Sequence, residues 1–151
     1  MKPLWILVFA GFLAHSGFAQ EATAAEEAPE EFAPLDATEL SLEEFKWVAR
    51  PLIVFADSPA DPRFQEQINL LLSRPEELID RDVVVLTDTD PSARSQPRQE
   101  LRPRGFSIVL LAKDGRVALR KPSPWKVREI TRVIDKMPLR QQELRDRGTL
   151  R

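Results

Sequence analysis

The sequence predicts an α/β protein with one mixed β-sheet that is covered by helices on both faces. Two apolar runs without helical periodicity, residues 51–56 and 83–87, indicate buried parallel strands. A helical pattern separates them, and an Asp114-Gly115 hairpin signal later in the chain adds an antiparallel pair. With 151 residues and 42% hydrophobic content, the chain is long enough for one such domain and too short for two.

The first nineteen residues predict a secretory signal peptide. Lys2 gives a positive start, residues 4–14 form an apolar run, and the small residues Gly17 and Ala19 precede a cleavage site at Gln20. A membrane anchor is the alternative, but a helix as short as this run spans about 17 Å, less than the roughly 30 Å hydrocarbon core of a bilayer. We therefore expect a periplasmic or secreted protein without a transmembrane segment after cleavage.

Residues 20–40 predict a flexible acidic leader. They contain seven acidic residues and no basic residue, with Ala and Pro between them. Such a segment buries too little apolar surface to offset the entropy lost on ordering. We expect the folded domain to cover residues 41–138, and a polar, Arg-rich helix or tail to cover residues 139–151.

The first half of the domain begins with a short helix and contains the two parallel strands. Ser41 starts a capping box for this helix, which ends before Pro51 at the start of the first strand. Asp61 and Pro62 are a good cap and a good first residue for the next helix, which we expect to end near Ser73. A short turn then leads to the second strand.

The second half of the domain contains the hairpin and the last clear helix. A polar connection follows the second strand, with a short helix expected at residues 97–101. The hairpin strands are residues 106–112 and 116–120. Ser123 and Pro124 then begin a helix whose apolar side chains repeat at helical spacing until Pro138.

This order of elements, with one strand-helix-strand unit followed by a hairpin and a helix, resembles the core of the thioredoxin fold. A closer resemblance is carried by Trp47 and by residues 50–56, 81–85, 113–115 and 121–125. These positions are similar to the family known as domain of unknown function 4174 (DUF4174), a peroxiredoxin-like group of exported bacterial proteins and some animal extracellular matrix proteins. The resemblance covers about residues 41–140. It implies a thioredoxin-like fold and brings no settled activity.

Thiol chemistry is not expected of this chain. In thioredoxin-like enzymes the reactive cysteine follows the first central strand, where the helix dipole lowers its pKa. The resemblance places that position at residues 57–62, but the sequence contains no cysteine, and the hydroxyl of Ser58 is far less acidic than a thiol. Ser107 occupies the position of the cis-proline. We therefore expect neither disulfide exchange nor peroxide reduction.

Hydrolytic and zinc chemistry are also disfavoured. The single histidine, His15, lies in the predicted signal peptide. The mature chain therefore has no Ser-His-Asp or Cys-His arrangement and no His or Cys ligand for zinc. We assign no catalytic residue and expect no cofactor.

Carboxylates follow both parallel strands, at the edge where open α/β sheets bind ligands. The candidate ligand or metal edge consists of Asp57, Ser58, Asp61, Asp88, Asp90 and Ser107. These oxygen ligands could hold calcium or magnesium. The alternative is that Asp61 caps a helix while Asp88 and Asp90 shape turns, since no EF-hand spacing is present.

Basic residues are concentrated in the second half of the chain. Residues 94–151 contain sixteen Lys and Arg against six Asp and Glu, whereas residues 41–93 contain five against eleven. The candidate patch for an anionic partner consists of Arg98, Arg102, Arg104, Lys121 and Lys126. It would attract an anionic protein, glycan or lipid surface, and it predicts no specific nucleic acid. The alternative is a solvated surface that binds nothing.

Together these observations favour an exported, non-catalytic binding or structural module. The competing hypothesis is an enzyme that uses a divalent ion at the Asp-rich edge. Trp125, beside Lys121 and Lys126, would either anchor a partner or pack against the end of the sheet.

Overall fold

The computed structural model describes residues 31–150, which contain one mixed five-stranded sheet. The strands are β1 (Leu35–Asp36), β2 (Arg50–Phe55), β3 (Val83–Asp88), β4 (Ser107–Leu111) and β5 (Val117–Lys121). Their order across the sheet is β1-β3-β2-β4-β5. The pairs β1/β3 and β2/β3 are parallel, whereas β4 is antiparallel to both β2 and β5.

Residues 31–150 also form five α-helices and two 3₁₀ helices. The α-helices are α1 (Pro62–Leu72), α2 (Pro75–Ile79), α3 (Gln96–Leu101), α4 (Val127–Asp135) and α5 (Pro138–Thr149), and the 3₁₀ helices are Leu42–Phe45 and Pro91–Ala93. Among the described residues, no helix combines the length and the apolar character needed to cross a bilayer.

The α/β prediction is confirmed, because the expected strands share one sheet with helices on both faces. One face carries Leu52, Val85 and Ile108, which pack with the buried side chains of α1, α2 and α4. The opposite face carries Ile53, Phe55 and Val109 and packs against Leu101 of α3 and the first 3₁₀ helix. Every residue of β2 is buried, as expected for the central strand of a covered sheet.

The helix starts follow the local sequence signals. Ser41 caps the first 3₁₀ helix, and the Glu44 side chain accepts a hydrogen bond from the Ser41 N–H in return, at 3.0 Å. Asp61 caps α1, which begins at Pro62 as expected. These caps fix where the chain enters each helix.

The segment for which we predict a flexible leader is partly ordered. Leu35 of β1 pairs with Leu86, and the Ala37 N–H donates to the Thr87 carbonyl at 2.9 Å. Ala37 is fully buried, and Phe32 packs against the core. The flexible-leader prediction is therefore wrong for these residues, because their apolar side chains and backbone donors find partners along the open edge of β3. The predicted signal peptide and residues 20–30 lie outside the described residues.

The Arg-rich segment after Met137 forms the helix α5, which packs on the body of the domain. Arg140 of this helix is only 2% exposed, although the polar, Arg-rich composition of the segment suggests a solvated surface. Its Nη2 atom donates to the Asp80 carboxylate at 2.6 Å. Long-range ion pairs thus hold α5 in place.

Candidate functional site

The candidate carboxylates do not converge on one point. Asp88 is 4% exposed at the end of β3, and its Oδ1 atom lies 2.8 Å from Nη2 of Arg98 on α3. The Ser95 hydroxyl donates to the other carboxylate oxygen at 2.5 Å. Asp88 from the candidate metal edge and Arg98 from the candidate basic patch therefore neutralise each other.

The Asp88–Arg98 pair closes the carboxyl edge of the sheet between β2 and β3. Arg98 also donates from Nη2 to the backbone carbonyl of Ala56 at 3.0 Å, which links the ends of both strands. Its guanidinium carbon lies 5.4 Å from the centre of the Phe55 ring. The pair thus fixes α3 over the sheet, and neither charge remains available to an external ligand.

The other candidate acids act on neighbouring backbone groups. Asp61 accepts from the Arg63 N–H at 2.9 Å, and the hydrogen bond from the Arg63 side chain lowers the pKa of its carboxyl group. Asp90 accepts from the Ser92 N–H at 2.9 Å. In residues 31–150, no three acidic or His side chains are placed to hold a metal ion together. The geometry favours the interpretation of these acids as caps and turns.

The two remaining candidates at this loop face solvent. Asp57 and Ser58 are both exposed directly after β2. The Ser58 hydroxyl accepts from the Ala60 N–H at 3.1 Å, which shapes the turn before α1. The sequence resemblance predicts this turn as the position of the reactive thiol in thioredoxin-like enzymes, and the turn contains no cysteine.

Replacing Asp61 tests the cap interpretation. We expect Asp61→Ala to lower the melting temperature by a few degrees, because an N-terminal donor of α1 loses its acceptor, and Asp61→Ser to retain most of the stability. Asp57→Ala serves as a control without a cap contact and should leave the melting temperature unchanged. A calcium- or magnesium-dependent rise in melting temperature that Asp61→Ala abolishes would contradict this interpretation.

A basic pocket lies beside this edge, on the face of the sheet that α3 covers. The cavity has a volume of about 400 Å³ and is lined by Arg102, Arg104, Phe106, Ser107, Arg120 and Pro122. We call the group of Arg102, Arg104 and Arg120 around Ser107 the arginine pocket. Within the described range, none of the three guanidinium groups makes a hydrogen bond or an ion pair.

Backbone geometry brings the three arginines together. Arg102 ends α3 in the left-handed conformation with φ 48°, and its N–H donates to the Arg98 carbonyl at 2.9 Å. Gly105, with φ 60°, then turns the chain into β4, and glycine suits this conformation because it has no Cβ. Arg120 pairs with Val109 in the β4/β5 hairpin, so it lies on the α3 face.

The electrostatics of the arginine pocket favour an anion. Three like charges line one cavity. All three side chains are exposed, so solvent screens part of their mutual repulsion, and a negative group would relieve more of it. Arginine presents a planar array of donors that matches carboxylate and phosphate oxygens. Ser107 is 6% exposed, lines the same cavity and adds a hydroxyl.

The candidate basic patch is therefore only partly assembled. Arg102 and Arg104 line the arginine pocket, whereas Arg98 is paired internally and Lys126 lines a different cavity with Arg74. The Lys121 ammonium lies 4.5 Å from the centre of the Trp125 ring. Trp125 itself is half-buried against the core, as in the packing alternative.

A second polar group, which we call the amino-edge cluster, lies at the opposite edge of the sheet. Its centre is Glu143 of α5, whose Oε1 atom accepts from Arg50 Nη2 at 3.0 Å and from Lys113 Nζ at 2.9 Å. Burial raises the pKa of Glu143, but the hydrogen bonds from Lys113 and Arg50 outweigh this effect and hold the pKa below its usual value. The cluster also includes Arg140 and Asp80.

Sequence reasoning missed the amino-edge cluster, because its members come from four separate segments. Arg50 is 0% exposed and looks in the sequence like an ordinary charged residue before a strand. Its Nη1 atom donates to the Arg81 carbonyl at 2.8 Å. Only the position of α5 identifies Glu143 as its partner.

Comparisons with known proteins place these features in a family and a fold. The family model described as "Domain of unknown function (DUF4174)" matches residues 41–143. No curated protein matches the chain. The resemblance inferred from Trp47 and the strand motifs is therefore confirmed at the level of the family.

Solved structures share the fold at low sequence identity. Reduced 2-Cys peroxiredoxin from Plasmodium vivax has a TM-score of 0.55 at 14% identity, covering 68% of this chain and 85% of its own. Reduced desulfothioredoxin from Desulfovibrio vulgaris Hildenborough has a TM-score of 0.50 at 18% identity, covering 68% of this chain and 97% of its own. Yeast mitochondrial 1-Cys peroxiredoxin has a TM-score of 0.50 at 14% identity, covering 71% and 98%. The chain thus has a thioredoxin-like fold without a cysteine.

Proposed function

Because the chain belongs to the family described as "Domain of unknown function (DUF4174)", whose description names no activity, we propose a function from the geometry of this chain. It is an exported, non-redox binding module, and its arginine pocket takes an anionic group of its partner. The pocket of three uncompensated arginines carries this proposal. The predicted signal peptide supports export.

The chemistry of the chain supports a binding role rather than a redox role. The similar peroxiredoxins and thioredoxin are named for reactions that require a thiol, and this chain has no cysteine in its whole sequence. The turn at Asp57 and Ser58 holds no replacement nucleophile. The fold that supports a redox site in other proteins here presents a basic cavity beside the same edge.

The paired acids of the carboxyl edge support anion binding rather than cation binding. Asp88 is neutralised by Arg98, and Asp61 by Arg63. The arginine pocket has no comparable acid among residues 31–150. A ligand that carries a negative charge would therefore balance the positive charge of the three arginines at this edge.

Binding of inorganic pyrophosphate at low ionic strength tests the proposal. We expect the triple variant R102S/R104S/R120S to bind at least about tenfold more weakly than the wild type, because each charged hydrogen bond contributes about 1.5–3 kcal/mol in favourable cases. Isothermal titration calorimetry measures the affinity. The matched control R128S/R132S/K136S removes the same charge from exposed positions of α4 and its C-terminus, and it should bind nearly as well as the wild type.

Arg102→Gly separates binding from folding. Because Arg102 has a left-handed backbone, glycine should leave the thermal stability unchanged or slightly raised while it removes one guanidinium group. Weaker binding with an unchanged melting temperature supports the pocket. Equal loss of affinity in the α4 control would show that only net charge attracts the anion, and no loss in R102S/R104S/R120S would show that the arginine pocket does not bind it.

A further inference from the structure

Strand β5 is the outermost strand of the sheet and has one open side. Among residues 31–150 it pairs only with β4, in a register that runs from Val117 opposite Leu111 to Lys121 opposite Ile108. Alternate residues of such an edge strand direct their backbone N–H and C=O groups away from the sheet. No other described segment forms a backbone hydrogen bond with residues 117–121. The outer side of β5 is therefore able to pair with an added strand.

Two cavities border the two ends of this open strand. The arginine pocket contains Arg120, near the carboxyl end of β5. A second cavity, of about 370 Å³, contains Val117 and Ala118 at the amino end, and its wall includes Trp47 and Met137. We call it the apolar cavity. A segment that lies along β5 would therefore reach both cavities.

The apolar cavity is suited to an uncharged side chain. Trp47 is 70% exposed and Val117 is 47% exposed, so both would lose contact with water when an apolar group covers them. The basic side chains of its wall already have acidic partners, as Lys113 has Glu143 at 2.9 Å. The cavity therefore contributes apolar contact, and the anion site remains the arginine pocket.

The register of the hairpin places Val117 and Arg120 on the same face of the sheet. They lie opposite Leu111 and Val109, whose side chains both belong to the α3 side. A register irregularity between Leu110 and Leu111 allows two residues of β5 that are three positions apart to share this face. On the neighbouring strand β4 the same distance corresponds to two residues, or about 7 Å. A regular added strand would thus place side chains i and i+2 beside Arg120 and Val117.

Charge favours an acidic segment over a second copy of this chain. Arg120 and Lys121 lie on the open strand, and Arg116 directly precedes it. Arg104 lies beside Arg120 in the arginine pocket. The neighbouring acid, Asp114, is already paired with Arg116 at 2.7 Å. Pairing of two β5 strands would bring like charges together, which is unfavourable, whereas an acidic strand would neutralise them.

We propose that β5 binds an extended, acidic segment of a partner protein, which joins the sheet as a sixth strand. The backbone of the segment pairs with the open side of β5, an acidic side chain enters the arginine pocket, and an apolar side chain lies against Trp47 and Val117. This inference rests on the proposed function, since it uses the arginine pocket as the anion site. It goes further by identifying the partner as a polypeptide and its mode of binding as strand addition.

Nuclear magnetic resonance titration of the mature chain with two acetylated, amidated octapeptides, TEETVTVT and TVTVTEET, tests the inference. The two sequences carry the same residues in opposite order, so they cover both directions of pairing. At least one should bind saturably and slow amide hydrogen exchange about tenfold or more at one or more of residues 117–121, because backbone pairing protects an amide. Pyrophosphate alone should leave exchange in β5 unchanged.

N-methylation of the bound octapeptide separates backbone pairing from charge attraction. Alternate residues of an added strand face β5, so methyl groups on the nitrogens of peptide residues 3 and 5, or of residues 4 and 6, block opposite sides of the peptide. One pattern should weaken binding at least about tenfold, and the other should weaken it far less. The analogue with Gln in place of both Glu should also bind at least about tenfold more weakly, because the charged hydrogen bonds to arginine are lost.

Variants of the chain test the two ends of the site separately. Trp47→Gly removes the indole ring, and glycine suits its backbone, whose φ is 64°. It should weaken octapeptide binding while leaving the affinity for pyrophosphate unchanged, whereas R102S/R104S/R120S should weaken both. Ile79→Ala, which removes an exposed apolar side chain from α2, is the control and should bind like the wild type. The melting temperature of each variant without ligand shows that it is folded.

The outcomes distinguish this inference from the proposed function. Saturable binding of pyrophosphate without saturable binding of either octapeptide would overturn strand addition alone, and failure of both ligands would overturn both proposals. Equal effects of the two methylation patterns, unprotected β5 amides in the complex, or undiminished octapeptide binding by R102S/R104S/R120S would each contradict the inference. Dimers that protect β5 without peptide would also overturn it, because a second copy would then occupy the edge.

Discussion

Replacement of Asp88 by Asn is expected to destabilise the fold by about 3–5 kcal/mol, a large effect for a single polar side chain. The reason is the position of Arg98, whose side chain is 11% exposed and whose charge would lose its only carboxylate partner among residues 31–150. Asparagine preserves the size of the side chain and can still accept from Ser95. The expected loss of stability is therefore electrostatic. Urea denaturation at neutral pH measures it.

A double variant distinguishes a lost charge pair from a general disturbance of packing. D88N/R98M removes both charges, and we expect it to be more stable than D88N alone, because no buried cation remains unpaired. The single variant should also weaken binding of pyrophosphate, since Arg98 fixes the helix that ends at Arg102. A loss below about 1 kcal/mol in D88N, the value typical of an exposed ion pair, would contradict this account.

The second large effect is expected at Glu143, where Glu143→Gln should lower the free energy of unfolding by about 3 kcal/mol at neutral pH. Arg50 is fully buried and, among residues 31–150, would keep only uncharged acceptors, such as the backbone carbonyl of Arg81. Lys113 would retain Asp82, at 2.8 Å. Most of the loss thus comes from the uncompensated charge of Arg50.

The same substitution predicts a change in pH dependence. Because the pKa of Glu143 is lowered in the folded state, its stabilising contribution is present above its unfolded pKa of about 4.3 and is lost as the pH falls through the folded pKa. The stability difference between wild type and E143Q should therefore shrink as the solution is acidified below that range. Glu66→Gln, on the exposed face of α1, is the control and should follow the wild type. A constant difference at all pH values would contradict the ion-pair explanation.

The elements of the fold were predictable where local patterns determine them. Apolar runs identified β2 and β3, and the Asp61-Pro62 and Asp114-Gly115 signals located the start of α1 and the hairpin. These predictions succeed because strand burial, capping and turn formation depend on neighbouring residues. β1 was missed, because the acidic composition of residues 20–40 as a whole concealed a short segment that pairs along an open strand edge.

The arginine pocket was only partly predictable, because it depends on strand register. Arg102 and Arg104 belonged to the predicted basic patch, whereas Arg120 did not. A shift of one residue in the hairpin would place Arg120 on the opposite face, and the sequence does not determine that register. The pairing of Asp88 with Arg98 was likewise not predictable, because it depends on where α3 lies on the sheet. This pairing removed Asp88 from the candidate metal edge and Arg98 from the candidate basic patch.

The central claim is that a cysteine-free thioredoxin-like fold binds an anion in the arginine pocket. Nuclear magnetic resonance titration of the mature chain with inorganic pyrophosphate tests it most directly. We expect saturable shifts of backbone amides at residues 102–107 and 120–122, which surround the pocket. Saturable shifts confined to other parts of the chain, or no saturable shift at any residue, would contradict the claim.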